Sequence, residues 1–110
     1  MAPEVITLPS FASEADGAEH FFGTRLSGIP VTPGRASAHE AERQGHRAAA
    51  ILSVTQVHGT DALVVDRPIE PGEMFEGGWD ALVTNQPGLM VTVRTADCVP
   101  VLLHDPVRRV

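Results

Sequence analysis

The sequence contains no lysine and a single cysteine, Cys98. One thiol forbids an internal disulfide and fits a reducing compartment, so a cytoplasmic setting is expected. Eight arginines face fourteen acidic residues, for a formal net charge of −6. That balance is a poor match to a phosphate backbone, and nucleic acid is not an expected partner. No apolar run approaches the roughly 18 residues a spanning helix needs, so no membrane association is expected. The start, MAPEVITLPS, has no basic segment leading into an apolar stretch, and no signal peptide is expected. GxGxxG, Walker A, HExxH and CxxC patterns are absent as well, which sets aside dinucleotide binding, P-loop chemistry and zinc fingers. What is present is an ordinary globular composition, 43% hydrophobic over 110 residues, enough for one domain or a piece of one.

Along the chain, Val5–Leu8 and His20–Arg25 read as short strands. Gly28, Pro30, Pro33 and Gly34 predict loop up to about Ser37. Ser37-Ala38-His39-Glu40 has the form of a capping box, and the alanine-rich stretch after it predicts a helix over about 38–50. Strands are then expected at Ser53–Val57, Ala62–Asp66, Ala81–Thr84, Leu89–Arg94 and Val99–His104, with a long loop over 67–79 and a turn at 85–88. Near-continuous apolar runs such as VPVLL predict strands covered on both faces, as in a layered α/β domain with a mixed sheet. Val107–Val110 reads as a turn opening a new strand. Five or six strands with one helix leave a sheet face uncovered, so the chain is expected to be the N-terminal part of a larger domain.

Two residues stand out chemically. Cys98 follows a short polar segment, Arg94-Thr95-Ala96-Asp97, between two apolar runs, where a strand resumes after a bend. Strand ends of α/β sheets commonly carry sites, but most free cysteines are small buried hydrophobes. His58 sits in Gln56-Val57-His58-Gly59, where Gly59 permits a positive φ and a sharp turn. Imidazole and thiolate are both zinc ligands and also form Cys-His nucleophilic pairs. A hydrogen-bonded turn histidine is the plainer alternative. The spacing of 40 residues between His58 and Cys98 matches no signature. Among the rest, His39 and His46 fall among charged residues on the expected helix and read as solvated, while His20 and His104 flank strands. Arg25 and Arg94 end apolar runs, where a guanidinium either clamps a phosphate or carboxylate or forms a strand-end ion pair. Asp80 and Asp97 either orient a neighbouring ligand or cap a turn.

The segments QVHGTD (56–61), WDALVTNQPG (79–88) and VRTADCVPVLLHDP (93–106), in that order, resemble the YfiH family, also called the laccase-domain or polyphenol-oxidase family. HFFGTR (20–25) is similar to its N-terminal segment, whereas the family's Asn-Leu-Gly segment has no counterpart in 26–50. The resemblance implies a zinc-dependent purine nucleoside phosphorylase acting on adenosine, inosine and methylthioadenosine, with adenosine deaminase activity. It implies a metal site of two histidines and one cysteine. Two of these map onto His58 and Cys98, which are then also the catalytic residues, and the third ligand is expected beyond Val110. Three protein ligands leave zinc an open position. Arg25 is the candidate contact for phosphate or substrate. The implied partners are a purine nucleoside, phosphate and the remainder of the chain's own domain.

Three other readings stand beside this one. The older family label implies a copper-dependent phenol oxidase, and a site of this donor type binds copper as well as zinc. A metal-free hydrolase would use Cys98 as nucleophile and His58 as base. An inactive fragment is the third.

Overall fold

The computed structural model describes residues 5–6, 20, 22–23, 32–38 and 50–110. Seven strands order these residues: β1 (Val5–Ile6), β2 (Phe22–Gly23), β3 (Arg35–Ala38), β4 (Ala50–Ser53), β5 (Ala62–Val65), β6 (Ala81–Thr84) and β7 (Leu89–Thr92). They form an antiparallel β1–β2 pair, a three-stranded sheet in the order β3–β4–β7, and a parallel β5–β6 pair. β4 is antiparallel to β3 and parallel to β7, so the sheet is mixed. The architecture is strand-rich, and the described residues contain no helix. None of them therefore forms a helix long and apolar enough to cross a membrane.

β4 is the buried axis. Its four residues and the following Val54 are all buried, and successive side chains of a strand point to opposite faces, so both faces of β4 are covered. On one side Leu52 and Val54 join Ala36 and Val65 in the core, with Leu63, Ile69, Phe75, Trp79, Leu82 and Leu89 packed around them. Burying a side chain such as Leu52 contributes about 1.5–3 kcal/mol. The β5–β6 pair lies within the crossover from β4 to β7 and contributes Val65, Leu63 and Leu82 to this cluster. A side-chain bond also ties the sheet: the Thr92 hydroxyl donates to the Leu52 carbonyl at 3.0 Å.

Three expectations change. Residues 35–38 form β3 rather than loop, and Ser37 pairs with Ile51 instead of capping a helix. Arg-Ala-Ser-Ala has no β-branched or aromatic side chain and carries little strand propensity; neighbours impose the conformation. One edge of β3 is taken by β4, and its Ala36 also exchanges backbone hydrogen bonds with the 72–75 segment, donating to Glu73 at 2.9 Å and accepting from Gly72 at 2.7 Å. The remainder of the expected helix, 39–49, lies outside the described residues. The strand expected at Ser53–Val57 is displaced to Ala50–Ser53, where two partner strands are in register; beyond it only Thr55 makes an isolated bridge, to Gly78. Val99–His104 is not a strand. Val99, Val101 and Leu103 are 84%, 69% and 87% exposed, because no strand among the described residues pairs with that run. The expectations for β5, β6 and β7 agree with the structure to within two residues.

The expected turn near Val110 is present. Asp105 and Val110 exchange backbone hydrogen bonds of 2.7 and 3.2 Å, and the Asp105 carboxylate accepts from the Val107 and Arg108 N–H groups at 3.0 and 3.1 Å. Arg109 closes the turn in the left-handed region at φ 56°.

Candidate metal centre

The segment after β4 leaves the sheet and turns sharply at His58, which occupies the left-handed region at φ 57°. The glycine beside it does not take that conformation; the histidine does. An L-residue there costs roughly 1–2 kcal/mol, though histidine, asparagine and aspartate tolerate it best. The offset comes from Asp80. One of its carboxylate oxygens accepts from the Val57 and His58 N–H groups at 3.1 and 2.9 Å, and the other accepts from Gly59 N–H at 2.7 Å. Successive N–H groups that converge in this way around a left-handed residue form a nest for an anion. The Gly59 N–H bond is the largest influence on the Asp80 carboxyl, followed among the favourable ones by the His58 and Val57 N–H groups. Together they outweigh desolvation and hold it below its ordinary value.

The backbone next to Asp80 clamps the ends of the same turn. Trp79 N–H donates to the Thr55 carbonyl at 2.9 Å and Asp80 N–H to the Asp61 carbonyl at 3.0 Å. Gly78 matters for close approach: a Cβ there would overlap Val57 Cγ1. The opposite flank is held by Gln56. Its side-chain amide donates to the Arg94 carbonyl at 2.8 Å and accepts from the Arg94 N–H at 2.8 Å. Gln56 thus pairs with Arg94 as a peptide group would, fastening the His58 turn to the segment that leads from β7 to Cys98.

His58 and Cys98 are both exposed, so the reading of Cys98 as a buried hydrophobe does not hold. No hydrogen bond among the described residues engages the His58 imidazole. An imidazole nitrogen and a thiolate suit zinc or copper in kind. In number they are incomplete, since no group of three His, Cys, Asp or Glu side chains able to hold a metal occurs among the described residues. Asp97 and Arg94 are exposed, and the Asp80 carboxylate is taken up by the amides of the His58 turn. His20 packs edge-on to Phe22 with ring centroids 6.5 Å apart, and His104 Nδ1 lies 3.1 Å from the Val110 carbonyl. Arg25, His39 and His46 lie outside the described residues. Gln56 is the participant that sequence reasoning passed over; a polar residue ending the apolar ILSVT run was its only local signal.

Residues 31–110 match the multi-copper polyphenol oxidoreductase laccase family, and the chain belongs to it. This is the family that QVHGTD, WDALVTNQPG and VRTADCVPVLLHDP resemble. The chain is similar to a purine nucleoside phosphorylase of Streptomyces coelicolor, 45% identical over 78 residues, covering 68% of this chain and 31% of that protein. A purine nucleoside phosphorylase of Streptomyces griseus is 38% identical over 95 residues, covering 86% and 38%. One from Deinococcus radiodurans is 34% identical over 110 residues, covering 96% and 41%. The chain spans less than half the length of these relatives. No solved structure matches it.

Proposed function

We propose that this chain is the N-terminal part of a layered α/β domain that acts as a purine nucleoside phosphorylase, cleaving adenosine, inosine or methylthioadenosine with phosphate and also deaminating adenosine. One observation carries the proposal: an exposed histidine on a turn tied by Asp80 is fastened, through Gln56 and Arg94, to the segment bearing an exposed cysteine. The names of the relatives support the substrate class. In this reading His58 and Cys98 are two ligands of a zinc ion, and a histidine beyond Val110 is the third. Zinc bound there supplies Lewis acidity. This chain's residues orient and present its donors: the Asp80 nest fixes the backbone at His58, and the Gln56 amide sets the position of the segment that leads from β7 to Cys98. Arg25 is the proposed phosphate contact, a guanidinium being able to bind two phosphate oxygens at once. A cytoplasmic setting belongs to the same reading, because the Cys98 thiol stays reduced there.

The test is phosphate-dependent release of base from inosine or adenosine by the full-length protein, with bound metal measured in parallel. His58→Ala and Cys98→Ala are expected to lose activity and metal together. Wild-type turnover by either variant would sink the proposal. An Arg25→Ala variant with unchanged phosphate dependence would remove Arg25 from its role. The family description favours a second reading, copper and phenol oxidation. Stoichiometric copper with phenol turnover, in protein purified without added metal, would establish it instead. Activity that survives thorough chelation would point to a metal-free Cys-His hydrolase.

A further inference from the structure

We infer that Asp80 is a positioning residue for His58, acting through the main chain of the turn rather than through the imidazole. The inference rests on the reading of His58 as a metal ligand. A ligand histidine is commonly oriented by a group that accepts from its second ring nitrogen. Here the control lies one step further back. The Asp80 carboxylate spans three consecutive N–H groups, with both oxygens used, and the central one belongs to His58 itself. Because His58 is left-handed, its Cα–Cβ bond leaves the backbone in a direction that an extended or helical residue at the same place would not give. Whatever holds φ at 57° therefore also aims the imidazole. Nothing in the side chain of histidine fixes that conformation; the carboxylate does.

Trp79 and Asp80 backbone groups pin the turn at Thr55 and Asp61, so its ends stay in place when the carboxylate is removed. The loss is then confined to the middle of the turn, where three amides lose their acceptor and His58 is free to return to ordinary backbone angles. Asparagine at position 80 keeps one acceptor oxygen and turns the other into a donor facing an N–H group. It should lie between wild type and alanine.

The experiment titrates the metal-free full-length protein with zinc alone, in competition with a chelating dye, alongside thermal melting of the same samples. Asp80→Ala is expected to weaken zinc binding about 10- to 100-fold, the range seen when groups that orient a metal ligand are removed. Asp80→Asn is expected to weaken it less. Thr92→Val removes the Thr92–Leu52 hydrogen bond in the sheet. It serves as the control for destabilisation as such and is expected to stay within twofold of wild type in zinc affinity. Were Asp80→Ala to fail to fold, Asp80→Asn decides alone. Zinc affinity within twofold of wild type in the Asp80 variants, with His58→Ala having lost zinc, overturns the inference and leaves the metal reading standing. Equal weakening by Thr92→Val also overturns it, as an effect of general loosening. Undiminished zinc binding by His58→Ala removes the metal reading, and the inference with it.

Discussion

Residues 50–54, Ala-Ile-Leu-Ser-Val, and residues 99–103, Val-Pro-Val-Leu-Leu, are runs of the same length and similar apolar character, and the fold treats them in opposite ways. The first is buried from end to end, while the second exposes Val99, Val101 and Leu103. The difference lies in what stands beside them. β4 has β3 on one edge and β7 on the other, so its backbone groups are paired and its two faces are covered. The 99–103 run has no ladder partner among the described residues, and Pro100 removes one of its donors. Apolarity declares a demand for cover; only neighbours in space meet it.

The largest test of this contrast is a pair of truncations read by denaturant unfolding. Leu52→Ala should cost about 2–5 kcal/mol, the loss typical of a large buried side chain. Leu103→Ala in this chain should change stability by less than about 0.5 kcal/mol, as exposed substitutions do. A cost for Leu103 close to that for Leu52 would break the comparison. Next comes Gly78→Ala, which drives a methyl into Val57 and should cost about 1–3 kcal/mol, in the manner of overpacking. The same denaturant series checks it.

Ser53 sharpens the contrast from within β4. Its hydroxyl is buried with no hydrogen-bond partner among the described residues. Ser53→Ala should therefore be neutral or stabilising by up to about 1 kcal/mol, since it removes an unsatisfied polar group. A clear loss of stability would show that the hydroxyl has a partner after all. The smallest effect concerns pH. The Arg67 hydrogen bond holds the Glu73 carboxyl below its ordinary range. A depressed carboxylate stabilises fully above its unfolded value, and that contribution is lost as pH falls through the lower folded value. Titration of Glu73 by NMR should show this ordering, and Arg67→Ala should raise the midpoint.

Local pattern made some of the fold legible. β5, β6 and β7 are short apolar or β-branched runs between turn residues, and they stand close to where the sequence put them. β3 did not show itself, because Pro33 and Gly34 mark a break while Arg-Ala-Ser-Ala offers no compensating signal; its partners supply the reason to be extended. β4 was displaced because an alanine-rich lead-in makes Ala50 look like the end of a helix. At the candidate site, His58 and Cys98 drew attention through residue type and family resemblance, not through spacing. Asp80 was legible as a residue that orients or caps. The Gln56–Arg94 pairing was not, since a side chain that imitates a peptide group 38 residues away leaves no local trace.

The nest at residues 57–59 has one more consequence. Three convergent amides are a common receptor for phosphate, yet here an internal counter-ion, the Asp80 carboxylate, already fills the receptor. An oxyanion arriving from solution meets negative charge at this turn rather than open donors. These three amides are therefore closed to it, and phosphate in the buffer should leave the Gly59 amide resonance unmoved.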